Sequence, residues 1–338
     1  MRLSSAEKKR LTKRYTENTE AYQLYLMGRY CWNRRKQPEI EKGIEYFQQA
    51  IEADPNYALA YAGLADSYII LGFYGLFAPG EVMPKAKAAA MKALEIDDTL
   101  AEAHNSLAFV KGAYDWDWTG AERQYKRAIE LNKNYPTAHH WYAEYLAQTG
   151  RFDEAQAEIE QAHALDPLSL IINEAVGWIL YLSRQYDEAI KQYRRTLELD
   201  PKFVPVRFCL GLAYVQESML EEAIREFKRS INILGRNPEV VAALGFTYGL
   251  SGQRAEAQKL LDKLKERSKH KYIASCLIAG VYTGLGEKDQ ALACVRKGYE
   301  ERDLGLVWLN VVPMADSLRT DPRFQELLRL IGFPPRVK

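Results

Sequence analysis

The sequence predicts an all-α fold: a solenoid of about eight helix pairs with a C-terminal capping helix. Three observations predict it. Ala121, Ala155, Ala189, Ala223, Ala257 and Ala291 recur at a constant step of 34 residues, and a period of that size marks one helix-pair unit stacked on its like. A second small-residue column keeps the same step (Ala143, Gly177, Gly211, Gly245, Ala279), and so does a large one (Tyr125, Ile159, Tyr193, Phe227, Leu261, Val295). Finally, 338 residues would strain one compact core, whereas units that pack only on their neighbours escape that limit.

Residues 1–19 form a basic lead-in; residues 1–36 hold ten Lys/Arg against three Asp/Glu, while the whole chain is near neutral at +1. Such a segment is a solvated lead-in or meets an acidic partner or an upstream domain. Residues 20–57 (AYQLYLMGRYCW, then EYFQQAIEADPNY) read as the first unit, with about three extra residues between its helices. Residues 58–100 are the second, stretched by an apolar insertion at 73–84 that packs on the adjacent repeat or meets a partner. Residues 101–135 fit with one extra residue. Residues 136–169, 170–203, 204–237, 238–271 and 272–305 follow without gaps. Gly150, Gly252 and Gly286 mark the turn inside three units, a left-handed cap position that Arg184 and Ser218 occupy in two others. Gly177, Gly211 and Gly245 recur in mid-helix at a cost of about 1 kcal/mol each relative to Ala, which predicts a partner helix too close for a side chain. In 306–338 the pattern stops; Asp321 as N-cap, Pro322 at the first helical position and Gly332 at the end predict the capping helix.

These columns resemble the tetratricopeptide repeat: large residue, small at the eighth position, Tyr at the eleventh, then Ala, an aromatic, Ala and Pro. Thr196, Ser230, Leu264 and Gly298 depart from the second alanine, and Pro is absent from that place after Pro201. The resemblance implies a right-handed superhelix lined by first helices. The segments AYQLYLMGRYCWNRR, PNYALAYAGLADSY, AHHWYAEYLAQTGR and ADSLRTDPRFQELLRLIGF also resemble the C-terminal repeats of large bacterial multidomain proteins. There such repeats follow a winged-helix DNA-binding domain, a TolB-like domain or a serine/threonine kinase. This implies a C-terminal fragment or truncated relative of a bacterial regulatory protein.

No P-loop, GxGxxG, GxSxG, HExxH or paired CxxC pattern occurs, so neither an enzyme nor a cofactor or metal is expected. Cys31, Cys209, Cys276 and Cys294 lack metal spacing and read as buried free thiols of a reducing compartment, with a Cys276–Cys294 disulfide as the alternative. The adjacent His139 and His140 point about 100° apart on a helix and read as one packed and one groove-facing. In the DWDW run, Asp117 or Thr119 is expected to cap a helix with a Trp stapling the turn. Without an 18-residue apolar run or an apolar leader core, no membrane insertion is expected and a cytoplasmic location fits. Balanced charge argues against nucleic-acid binding by this chain.

Function is therefore expected on the inner face. The resemblance places Asn105, Phe109, His140, Glu144, Glu174, Trp178, Tyr181, Phe208, Leu212 and Phe246 there. Trp178, Tyr181, Phe208 and Phe246 would form an aromatic strip that anchors a protein or peptide segment, or that merely packs. Few cations occupy these positions, so a clamp for a terminal carboxylate is not expected of them. Self-association, including a homodimer, or action as a regulatory arm for an attached domain is the alternative.

Overall fold

The computed structural model describes residues 15–334, and those residues are helical with no strand among them. Sixteen helices follow one another as eight pairs among the described residues: α1 (Thr19–Asn33) with α2 (Gln37–Ala53), α3 (Ala58–Phe73) with α4 (Pro79–Ile96), α5 (Ala101–Val110) with α6 (Trp118–Leu131), and α7 (Pro136–Gln148) with α8 (Phe152–Leu165). Then come α9 (Leu170–Leu182) with α10 (Tyr186–Leu199), α11 (Val204–Gln216) with α12 (Leu220–Leu234), α13 (Pro238–Leu250) with α14 (Arg254–Ser268), and α15 (Ser275–Gly284) with α16 (Lys288–Glu301). Two 3-10 turns (Leu304–Trp308 and Pro313–Leu318) and α17 (Pro322–Ile331) complete the described chain. Each helix packs on its pair-mate and on the next pair, which is the nearest-neighbour stacking of a solenoid.

Local chemistry sets the punctuation. Pro79, Pro136, Pro238 and Pro322 open their helices, where a missing N–H costs nothing. The turn inside each pair needs a left-handed residue: Gly150, Gly252 and Gly286 sit at φ +81°, +77° and +74°, and Arg184 and Ser218 are held at +68° and +59° in the same place. The extra residue of the third unit is absorbed by a π turn, Lys111–Asp115, that widens the end of α5. Asp117 then caps α6 by accepting from the Gly120 N–H.

At Gly177 and Gly211 the partner helix leaves no room for a side chain, as the sequence suggests, and what fills the space is a ring. A Cβ on Gly211 would lie 2.6 Å from the Phe227 ring, and one on Gly177 would enter the Tyr193 ring. Gly28 and Gly63 face Phe47 from two sides. Gly177 and Gly211 thus receive the aromatic rings of second helices, while a Cβ on Gly245 would lie 3.1 Å from the Val281 side chain of α15; none of the three meets a neighbouring backbone. Backbone-to-backbone approach occurs elsewhere, between α13 and α15, where Gly249 and Gly284 leave no room for a side chain.

Only residues 74–78 of the 73–84 insertion lie outside helices, because Pro79 starts α4. Its apolar residues turn inward: Phe73 meets Phe109 edge-on at 5.9 Å, and Tyr74, Leu76 and Phe77 pack against the core. They cover the adjacent repeats.

The C-terminal segment does more than cap the last pair. Trp116 stacks on Tyr299 at 5.1 Å, and Arg302 lies over the Trp116 ring while donating to the Tyr114 carbonyl. Leu304 reaches Gly72 of α3. Trp308 meets Trp178 of α9 edge-on at 5.5 Å, and the Asn310 amide donates to the Gln148 carbonyl of α7. Arg184 pairs with Asp316 at 2.9 Å. Finally, Trp118 of α6 donates to the Ile331 carbonyl and packs on Phe333. Residues 302–333 therefore run along the ends of the first helices and bind the last pair back to the second through fifth.

Candidate functional site on the inner face

The first helices α1, α3, α5, α7, α9, α11 and α13 supply the inner face, and the ten residues expected there divide by exposure. Asn105, Phe109, His140, Tyr181, Leu212 and Phe246 are buried. Glu144, Glu174, Trp178 and Phe208 keep part of their surface. The aromatic strip is accordingly discontinuous. Tyr181 is fully enclosed between Trp178 and Tyr186, and Phe246 lies in the main core. Trp178 touches the chain's own Trp308, and Phe208 leans on Phe227 at 6.2 Å.

Charge is the less expected feature of this face. His140 Nε2 lies 3.3 Å from Glu144, and the Cys209 thiol donates to Glu174 at 2.9 Å. Burial pushes the Glu174 carboxyl up to about 7; Glu144 adds to this, while the Cys209 hydrogen bond and His140 oppose it. Glu239, at the start of α13, is pushed to about 7 by burial, with Asp303 and Glu174 adding to the shift. Asp303 is buried and accepts from the Cys276 and Gly305 N–H groups, which pins the entry to the C-terminal segment. Burial raises the pKa of Tyr74, from the insertion; Arg35 opposes the shift, and Glu174, Glu239 and Glu144 add to it.

At the opposite end Arg29 pairs with Asp66 at 2.9 Å, and Asp66 also accepts from Ser106. His139 lies between the Glu158 carboxylate and the Lys133 carbonyl, so it joins α7 to α8 and faces no ligand. Cys31, Cys209, Cys276 and Cys294 are free thiols, and among the described residues no group of His, Cys, Asp and Glu could hold a metal ion. No described helix is long and apolar enough to cross a membrane.

Sequence reasoning missed Trp308, Tyr74, Arg35 and Glu239. The signal for Trp308 is the apolar run LGLVWLNVV, too hydrophobic to coat an exposed cap. Arg35 and Glu239 fall outside the ten inner-face positions that the repeat pattern supplied.

Comparison with known proteins agrees with this architecture. Tetratricopeptide-repeat family models match residues 36–57 and 117–171, and a TPR-repeat model matches 177–218. The transcriptional regulator HilA of Salmonella typhimurium is 24% identical over 172 residues, which are 50% of this chain and 31% of the regulator. The chain thus matches about a third of the length of that curated relative. Among solved structures, the human IFIT1 dimer with m7Gppp-AAAA is 16% identical with a TM-score of 0.61, covering 88% of this chain and 69% of that one. TTC0263, a thermophilic TPR protein of Thermus thermophilus, is 19% identical with a TM-score of 0.49, covering 58% of this chain and 99% of that one.

Proposed function

We propose that this tetratricopeptide-repeat protein is a non-catalytic scaffold that binds a protein or peptide segment on its inner face, as the interaction part of a bacterial regulator. The observation that carries the reading is the row of partly exposed Glu144, Glu174, Trp178 and Phe208 on successive first helices. An aromatic pair flanked by carboxylates suits a segment that brings apolar anchors and basic groups. Similarity to HilA over half of this chain supports the regulatory setting. The test is affinity capture from a bacterial lysate with Trp178→Ala plus Phe208→Ala. Phe246 is a poor choice because it is 5% exposed and its truncation would act on the core. The folded double variant is expected to lose the partners that the parent captures; retention of all of them would remove the proposal.

A second reading, self-association, has one observation in its favour. Helix α1 exposes Tyr22, Leu26, Met27 and Tyr30 at 50%, 46%, 50% and 62%, an apolar stripe at helical spacing. Light scattering separates the two: a dimer that becomes monomeric in Leu26→Asp favours this reading, and a monomeric parent excludes it.

A further inference from the structure

The end of α1 carries a cluster that binding of a protein segment to the aromatic pair does not use. Arg35 lies over the Trp32 ring at 3.5 Å and Arg29 lies over the same ring at 4.3 Å. Two guanidinium groups thus flank one indole. Arg29 is neutralised by Asp66, whereas the Arg35 guanidinium has no carboxylate or hydrogen-bond acceptor among the described residues. Arg35 fills the left-handed turn position of the first pair, at φ +54°. Burial lowers the Arg35 pKa; Arg29 acts in the same direction, and Tyr74 and Asp66 oppose it.

A further polar group lies beside this charge. Trp32 is 3% exposed and its Nε1–H has no acceptor. Buried polar groups without partners are rare in folded proteins and costly to leave so. A guanidinium without a hydrogen-bond acceptor and a buried N–H donor on the ring it covers are together what an anionic group would satisfy.

We infer that the inner face beside Trp32 is an oxyanion site, in which Arg35 supplies the fork of donors and Arg29 a second positive charge, and that it takes the carboxylate or phosphate group of a small ligand. A planar guanidinium pairs with either group through two parallel hydrogen bonds. This site is independent of the aromatic pair, and either can fail without the other.

The test is titration of the full chain, labelled with 15N-arginine, with inorganic phosphate and separately with acetate, against sodium chloride at matched ionic strength. The Arg35 Nε–H signal, assigned by its loss in Arg35→Gln, is expected to shift saturably with a Kd of about 1 mM; the Arg29 signal, over the same ring, is expected to follow the same isotherm and to report affinity in the substituted proteins, and the remaining arginines are expected not to saturate. Saturation by phosphate alone identifies a phosphoryl ligand, by acetate alone a carboxylate ligand, and by both the shared chemistry; each supports the site. Should Arg35→Gln fail to fold, Arg35→Lys keeps the charge without the fork and is expected to weaken binding roughly tenfold. No saturation above the chloride control, or unchanged affinity in the substituted protein, would overturn the inference.

Discussion

At the scale of single residues, the repeat acts as a set of steric slots, and some slots hold a residue that fits poorly. Ser218 is exposed and occupies, at +59°, the left-handed position that Gly150 fills at +81° two units earlier. A side chain there costs about 1–2 kcal/mol, partly offset because glycine loses more entropy on folding. Ser218→Gly is therefore expected to raise stability by about 0.5–1 kcal/mol, read as a higher midpoint in urea unfolding with an unchanged slope. A lower midpoint would mean that the hydroxyl or the chain stiffness matters more than the backbone conformation. The turn position was legible in the sequence because, across residues 136–305, three of its five occupants are glycine. What the glycines of the helices receive was not legible: a mid-helix Gly reports only that something is close, and whether that is the Phe227 ring or a backbone depends on the neighbour's rotamer.

At the scale of elements, the helix pairs were readable because each one's apolar face repeats with its neighbour's, and stacking needs no long-range information. The route of residues 302–320 was not readable, because its contacts are with α3, α7 and α9, far away in sequence and without a periodic signature. Arg319 organises this segment by donating to the carbonyls of Leu309, Asn310 and Val312 and pairing with Asp316 at 2.7 Å. The segment's grip on the inner face rests on Trp308 against Trp178. Trp308→Ala is expected to loosen residues 302–320 without unfolding the repeats. Limited proteolysis within that stretch should accelerate about tenfold, the equivalent of losing roughly 1.4 kcal/mol of local protection, while far-UV circular dichroism stays constant. Tryptophan emission should shift to the red as Trp178 gains water. Unchanged cleavage would mean that Arg319, Arg184 and the Leu304 packing hold the segment unaided.

At the scale of the whole molecule, the inner face concentrates acids that the fold keeps from ionising, and this couples stability to pH. Glu174 and Glu239 titrate at about 7 in the folded chain, against about 4.3 for a glutamate in an unfolded one. Between these values the native state binds more protons than the unfolded state, so unfolding free energy falls as pH rises through that window. The His139 pKa is also raised, with burial opposing and the Glu158 hydrogen bond and Lys133 carbonyl favouring protonation. Its contribution is full below the unfolded histidine pKa and is lost as pH rises through the folded one, which gives the same sign. Asp117 and Asp321 are depressed by their hydrogen bonds with Lys111 and Arg323 respectively, so their contributions are present above about 4 and vanish below it. The thermal midpoint is thus expected to peak between about pH 4 and 5.5 and to decline towards about pH 8. Water on the inner face reduces each glutamate's share to the order of 1–2 kcal/mol. Glu174→Gln mimics the protonated acid, so it should leave the midpoint nearly unchanged at about pH 5, raise it at about pH 8, and flatten the slope between. Calorimetry across that range checks this. A midpoint that is level or rising over it, or a variant with the parent's slope, would show that Glu174 ionises freely and that its part of the inner face is open to bulk water.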